Sequence, residues 1–248
     1  MNPLKIVALP LILLLAAALS SSAQLQASPS GTTAPNAILN NRPWEYGAIT
    51  QGGTGLTEDR NSFKFIMAGA HLSKVLTGPI GPGLLRGTFE YGVEAFPFWQ
   101  SYTPTFYRAN CVAVPGTTDG SVSCSPAFRV GGTFSGVSVT PIILRWNIRR
   151  TRQFAFWGQG AGGVLWTNHK YPAFGGTPYN LQNDGPSADA SVWNFTPQAG
   201  VGVHWFLRPH RSLDFGANAV HVSSASLGDR NPGVNASVQF TLGYTWWK

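Results

Sequence analysis

Alternation of apolar and polar side chains along long segments is the feature that most constrains how this chain folds. The clearest example is the segment 213–219, in which Leu213, Phe215, Ala217 and Ala219 alternate with Asp214 and Asn218. A period of two belongs to the β-strand, because successive side chains of a strand point to opposite faces of the sheet. The segments 85–95 and 234–246 show the same pattern. The alternation therefore predicts long strands with one apolar face and one polar face.

Eight segments rich in aromatic and β-branched residues are separated by gaps that contain glycine, proline or other turn residues. They are Trp44–Gln51, Phe63–Leu76, Leu84–Phe98, Phe134–Ile148, Gln153–Thr167, Trp193–Leu207, Ser212–Ser224 and Val234–Trp247. Most are longer than the average strand of a globular protein, about 5–6 residues. They reach the roughly 9–11 residues that a strand needs to cross a bilayer. The 29 Gly and 18 Pro disfavour a mostly helical fold.

The gaps between the predicted strands differ in length according to their order. The gaps after the second, fourth and sixth strands are short: Thr77–Gly83, Arg149–Arg152 and Arg208–Arg211. Two of the other gaps are very long: Trp99–Thr133 and Asn168–Val192. Outer-membrane barrels have short periplasmic turns and long external loops. Charged residues form only 11% of the chain, against about 25% in a soluble domain. We therefore predict an all-β fold, an eight-stranded antiparallel transmembrane β-barrel over residues 44–248.

Two other all-β folds stay open as alternatives. A secreted β-sandwich also contains alternating strands, and a soluble barrel would point its apolar face inward. Alternation by itself does not distinguish these folds from a membrane barrel, so the prediction depends on the loop lengths and the low charge.

The N-terminal segment has the composition of an export signal. Lys5 precedes the apolar run Ile6–Leu19, and the small residues Ser21, Ser22 and Ala23 follow it. This order of regions predicts a signal peptide over residues 1–23, cleaved after Ala23. A membrane anchor is the alternative, but the apolar run is short for a spanning helix. Residues 24–43 are predicted to form a flexible leader, and the exported chain is expected in the outer membrane.

Cysteine and histidine positions indicate structural rather than metal chemistry. Cys111 and Cys124 lie in one predicted loop, and an oxidising compartment favours a disulfide between them. The five histidines are scattered without the spacing of a zinc site: His71, His169, His204, His210 and His221. We therefore expect no metal or other cofactor.

One pair of residues has the chemistry of an acyl-transfer site. His221 and Ser223 are two positions apart, so on a strand they share a face and the imidazole lies beside the hydroxyl. A histidine base next to a serine is the minimal unit for nucleophilic attack on an ester. The pair continues the apolar face of the segment 213–219, so a membrane-lipid ester is within its reach. A chance pair is the alternative interpretation, because His-x-Ser is a short motif.

The residues around this pair resemble a known family. His221-Val222-Ser223-Ser224-Ala225-Ser226-Leu227, followed by Asn231-Pro232-Gly233, is similar to the His-x-Ser-Asn-Ala element and last loop of outer-membrane lipid A 3-O-deacylases, also called acyloxyacyl hydrolases. The resemblance implies a barrel enzyme that removes the ester-linked 3-O acyl chain from lipid A of lipopolysaccharide. It implies Ser223 as nucleophile and His221 as base. It also implies an oxyanion hole near Ser224, Ala225 and Ser226.

The chain departs from the family pattern at its third catalytic residue. The family has a glutamate where this chain has Asn235. An amide orients a histidine in Cys-His-Asn enzymes but carries no charge. Alternation places Asn235 with Gln239 on the polar face, so a bulge near Gly233 would be needed to turn it towards His221. A catalytically inactive barrel with a structural or adhesive role therefore stays an alternative, as does a secreted lipid-binding barrel.

The charged residues suggest partners and internal contacts. The formal net charge of +7 favours an anionic partner, and no nucleic acid is expected. Lipid A, lipopolysaccharide and outer-membrane lipid are the implied partners, and both a monomer and a homodimer are compatible with the sequence. External basic residues are candidates for lipid A phosphates: His169, Lys170 and Arg230. Polar-face residues are expected to form ion pairs in the lumen: Arg86, Glu90, Glu94, Arg145 and Asp214.

Overall fold

The computed structural model describes residues 34–57, 60–109, 111–116, 121–171, 191–225, 227 and 236–248. Within these ranges, one helix precedes eleven strands: α1 (Ala34–Asn40), β1 (Trp44–Gly55), β2 (Lys64–Val75), β3 (Thr88–Arg108), β4 (Cys111–Ala113), β5 (Val122–Cys124), β6 (Phe128–Arg150), β7 (Phe154–Thr167), β8 (Trp193–Phe195), β9 (Gln198–Arg208), β10 (Arg211–His221) and β11 (Ala236–Trp247). No helix in the described ranges is long and apolar enough to cross a membrane. The predicted signal peptide and the leader residues 24–33 lie outside these ranges.

Eight of the strands form a closed antiparallel barrel. Going round the barrel, the order is β1, β2, β3, β6, β7, β9, β10 and β11, and each strand pairs with the next. The barrel closes where β1 pairs with β11, in a register that runs from Glu45 opposite Trp247 to Gly55 opposite Ser237. The predicted eight-stranded antiparallel barrel is therefore confirmed.

The two ends of the barrel differ in their connections. Two strand pairs are joined by tight turns, residues 151–153 and 209–210, and we call this end the turn end. The opposite end, called here the loop end, carries the connections 109–127, 168–192 and 222–235. The β2–β3 connection at the turn end is longer than predicted, because residues 83–85 form a 3-10 turn and β3 begins only at Thr88.

The outward face of the barrel is apolar, whereas the interior contains buried polar side chains between two apolar clusters, one near each end. Phe215 and Phe240 on the outward face are 41% and 61% exposed. Asp214 and Asn218 alternate with such residues and are buried inside. A barrel in water would present a polar outer face, so the apolar outer face fits a barrel wall that contacts lipid.

A network of charged side chains fills the interior near the turn end. The Arg145 Nη1 atom lies 3.1 Å from Glu90 Oε1 and 3.3 Å from Glu45 Oε1. His204 Nδ1 lies 2.7 Å from Asp214 Oδ1. The predicted internal pairing is therefore confirmed for Glu90, Arg145 and Asp214, although the acceptor Glu45 and the partner His204 were not anticipated.

The prediction is wrong for Arg86, and it holds only in part for Glu94. Arg86 follows the 3-10 turn before β3 and is exposed, so its side chain is not part of the lumen. Glu94 is buried inside as expected. Its Oε2 atom, however, has no hydrogen-bond partner among the described residues.

Helix α1 packs at the turn end of the barrel interior. Ile38 and Leu39 of this helix are buried in one apolar cluster with Val75, Phe206 and Trp247. Residues 34–40 thus form an apolar plug below the charged network. The prediction of a flexible leader over residues 24–43 did not include this helix.

Arg145→Leu is expected to destabilise the barrel by about 3–5 kcal/mol, because the substitution leaves the buried carboxylates of Glu45 and Glu90 without their cation. The midpoint of urea unfolding in detergent measures the change, with the folded form quantified as the faster-migrating band of unboiled protein. Arg208→Leu is the matched control, because Arg208 is exposed at the turn end and its loss should change stability by no more than about 0.5 kcal/mol. Equal midpoints for both variants would contradict a stabilising role for the network.

Candidate active site

His221 is the last residue of β10 and lies on the outward face at the loop end. It is opposite Ala236 of β11, and its backbone N–H donates to the carbonyl oxygen of Pro197 over 3.0 Å. Val220 and Val222 on either side are buried inside the barrel. His221 is half-buried, so its imidazole is positioned at the outer wall and not in the lumen.

Ser223 is held in place by strand β8. Its N–H donates to the carbonyl oxygen of Phe195 over 3.0 Å, and its own carbonyl oxygen accepts from the N–H of Phe195 over 2.6 Å. This exchange of both bonds fixes the backbone of Ser223 as if β10 continued for one more pair. The structure therefore brings His221 and Ser223 to the same outward face, as the two-residue spacing predicted.

The neighbouring strand is interrupted at one proline, but its register with β7 and β10 continues unchanged across the interruption. The sequence predicted one strand over Trp193–Leu207, but β8 ends at Phe195 and β9 begins at Gln198. Pro197 lies in the break, because proline has no N–H to donate to a sheet ladder. Its carbonyl oxygen still accepts from His221. The proline was the signal in the sequence that could have located the break.

Ala225 adopts an unusual backbone conformation directly after Ser223. Its φ angle is 46°, in the left-handed region that non-glycine residues rarely occupy. Its N–H donates to Ser223 Oγ over 3.2 Å, and Leu227 N–H donates to Ser224 O over 2.8 Å, closing a turn. A strained turn thus directs a backbone N–H at the serine oxygen.

Of the other predicted site residues, the structure describes Ser224, His169 and Lys170. Ser224 is buried, and its Oγ atom has no hydrogen-bond partner among the described residues. Its hydroxyl therefore does not share the exposed environment of Ser223. Ser226, Asn235 and Arg230 lie outside the described residues. His169 and Lys170 are exposed just beyond the loop end of β7.

The imidazole of His221 has few contacts. No hydrogen bond joins the His221 and Ser223 side chains, and no group among the described residues bonds to the imidazole. The geometry therefore supplies a shared face and a fixed serine backbone, without a hydrogen bond between the two side chains.

Among the described residues, the groups that could ligate a metal lie inside the barrel. Two sets have ligand atoms within 4.8 Å of one another: Glu45, His71 and Asp214, and Glu45, Glu90 and His204. Arg145 and His71 already contact the Glu45 carboxylate. Asp214 is on the same strand as His221 but on the opposite face and nearer the turn end. These groups therefore belong to the internal network.

The closed barrel with an apolar outer wall and a charged network inside defines this chain as an outer-membrane type of β-barrel. Residues 126–245 match the model of the lipid A 3-O-deacylase family, PagL. The matched range runs from the start of β6 almost to the end of the chain, and it includes His221 and Ser223. The predicted resemblance to this family is therefore confirmed over that range. No curated protein matches the chain.

Several solved structures are similar in fold. The outer-membrane enzyme PagL has 12% identity and a TM-score of 0.39, with 80% of this chain and 98% of that chain covered. Ail, the attachment invasion locus protein of Yersinia pestis, has 12% identity and a TM-score of 0.40, with 84% and 99% covered. OprG from Pseudomonas aeruginosa has 9% identity and a TM-score of 0.36, with 84% and 96% covered.

Proposed function

We propose that this protein is an outer-membrane ester hydrolase that removes the ester-linked 3-O acyl chain from lipid A. The observation that carries the proposal is the placement of His221 and Ser223 together on the outward face at the loop end. Long loops mark the external side of outer-membrane barrels, where lipopolysaccharide lies. The match of residues 126–245 to the lipid A 3-O-deacylase family supports the same substrate.

The proposed reaction needs only groups of this chain and water. Ser223 Oγ attacks the ester carbonyl carbon while His221 accepts the serine proton. The N–H of Ala225, directed at Ser223 Oγ in the free protein, is placed to donate to the oxyanion that forms beside it. His221 then protonates the departing sugar oxygen. Water, activated by His221, attacks the acyl-enzyme and releases the fatty acid.

A catalytically inactive barrel with a structural or adhesive role is the second candidate. The observation that favours it is Asn235, which stands where the resemblance to the family places a catalytic glutamate. The two functions are separated by the mass of lipid A after incubation with the refolded protein. Loss of one ester-linked acyl chain supports the enzyme, and unchanged lipid A supports the inactive barrel.

Ser223→Ala is expected to lower acyl release from lipopolysaccharide to background, because the attacking oxygen is removed. His221→Asn should have the same effect, since an unassisted serine hydroxyl is a weak nucleophile near neutral pH. The assay is mass spectrometry of lipid A in detergent. Ser212→Ala is a serine control on the same strand, because Ser212 faces the lumen and bonds to Asp214. Release by Ser223→Ala equal to that of the wild type would contradict the assignment.

Asn235 is proposed to orient His221, and its replacement distinguishes this role from a lumenal position. Asn235→Glu should hold or increase the rate of acyl release if the side chain reaches His221, because a carboxylate stabilises the imidazolium. Asn235→Ala should then reduce the rate. If neither change affects the rate, Asn235 is not part of the site. Heat-modifiability on gels confirms that each variant is folded.

We also propose a disulfide between Cys111 and Cys124. The two residues lie directly opposite each other in the β4–β5 ribbon. Opposite residues in an antiparallel pair have Cα atoms about 4.5–5.5 Å apart, which is within the roughly 4.4–6.8 Å of a disulfide. The ribbon connects β3 to β6, and β7 and β9 separate β6 from β10. The bridge is therefore not needed for catalysis.

Thiol labelling of the unfolded, unreduced protein is expected to detect no free cysteine. The Cys111→Ser/Cys124→Ser double variant should release acyl chains at the wild-type rate, because the ribbon is separated from Ser223. Two labelled thiols would rule out the bridge. Loss of activity in a folded double variant would contradict the expectation that the bridge is dispensable for catalysis.

The predicted signal peptide completes the proposal. Cleavage after Ala23 would leave a short segment before helix α1 at the turn end, which is the periplasmic end of an outer-membrane barrel. N-terminal sequencing of the protein extracted from outer membranes tests the cleavage position.

A further inference from the structure

Phe195 is the direct cross-strand neighbour of Ser223. Because the two residues exchange both backbone hydrogen bonds, their side chains leave the sheet on the same face. Directly opposite residues have Cβ atoms about 4.5–5.5 Å apart. Val222 is buried inside, so the face shared by Ser223 and Phe195 is the outer wall. The side chain of Phe195 is 41% exposed there.

Pro197 is the next outward residue after Phe195 and lies beside His221. Beyond Pro197, towards the turn end, the outward positions nearest to this pair are small: Ala199 is opposite Ala219 of β10. On the other side of β10, Ala236 is opposite His221. Among the described residues, Phe195 is therefore the one bulky apolar side chain paired directly with the serine.

We propose that Phe195 determines specificity for the acyl group by forming one wall of the ester-binding site. This inference depends on the proposed hydrolase function. An ester carbonyl attacked by Ser223 has its first acyl carbons within reach of the Phe195 ring, at the same level of the barrel. The rest of the chain extends past the alanines towards the bilayer centre. The wall therefore favours acyl chains that are unbranched next to the carbonyl.

If Phe195 only contacted lipid, its replacement would not change which ester the enzyme prefers. Phe215 supplies the matched control, because it also lies on the outward face and is also 41% exposed. It is on β10 opposite Leu242 of β11, nearer the turn end than His221. Replacing either phenylalanine removes the same apolar contact with detergent or lipid, but only Phe195 is adjacent to the serine.

The test compares kcat/KM for two synthetic esters in detergent, one with a linear acyl chain and one with a methyl branch on the carbon next to the carbonyl. The wild type should prefer the linear ester. Phe195→Ala should lower kcat/KM for the linear ester by on the order of tenfold. It should also relieve the clash with the branch, so that the linear-to-branched ratio falls by about tenfold or more. Phe215→Ala should leave the ratio within about twofold of the wild type.

The results of this experiment separate the specificity role of Phe195 from the hydrolase function. If Phe195→Ala and Phe215→Ala give the same ratio while Ser223→Ala abolishes hydrolysis, the specificity role is overturned and the hydrolase stands. If the wild type shows no hydrolysis that depends on Ser223, both the hydrolase and the specificity role are overturned. Phe195→Leu keeps an apolar group at the site and should fall between the wild type and alanine. This variant also serves if the alanine variant fails to show the heat-modifiable band.

Discussion

Closure of the backbone hydrogen-bond ladder is the constraint on which the rest of this structure depends. A strand in hydrocarbon has no water to satisfy its N–H and C=O groups, so a membrane sheet cannot have a free edge. Here the first and last strands pair along their whole length. The pairing continues to Trp44 and Lys248, which exchange backbone bonds of 2.7 and 2.9 Å. With eight strands the closed interior is just wide enough for side chains. In the proposed enzyme, the reaction with lipid therefore takes place on the outer wall.

Several of the few charged residues of this protein lie inside the barrel, where they pair with one another. Arg145 on β6 contacts Glu45 on β1 and Glu90 on β3, and its Nε donates to Gln159 Oε1 on β7 over 3.0 Å. One guanidinium thus connects four strands across the barrel. Burying such charges is costly unless they are paired. The apolar plug of helix α1 covers the network at the turn end, so the pairing has to be satisfied by the protein.

The two-residue alternation made the strands of the barrel predictable, together with the outward placement of His221 and Ser223. The alternation in the segment 213–219 was sufficient to place His221 and Ser223 on the outer wall, because a two-residue repeat needs no information from other strands. The alternation does not predict which side chains of distant strands meet, because that depends on how the strands are aligned. The bond between Arg145 and Glu45 joins residues one hundred positions apart. Arg86 was assigned to the lumen because its position fits the alternation, although β3 begins only after it.

The break between β8 and β9 was missed for a related reason. Aromatic and β-branched residues continue through the segment 193–207, so composition indicates a single strand. Pro197 removes one N–H from the ladder, but Phe195 pairs with Ser223 in the same register that pairs Gln198 with Val220. The proposed role of Phe195 depends on this pairing. The neighbours of Ser223 therefore became visible only when the register of three strands was known.

The position of the pair on the outer wall also restricts what can orient His221. The carboxylates of the internal network face the lumen, and the sheet itself separates Asp214 from the imidazole on the same strand. The outward neighbours of His221 on the adjoining strands are Ala236 and Pro197, and neither side chain accepts a hydrogen bond. In the proposed enzyme, an orienting group must therefore come from a loop, and the nearest in sequence is the segment 228–235. That segment contains Asn235, the residue proposed above to orient His221.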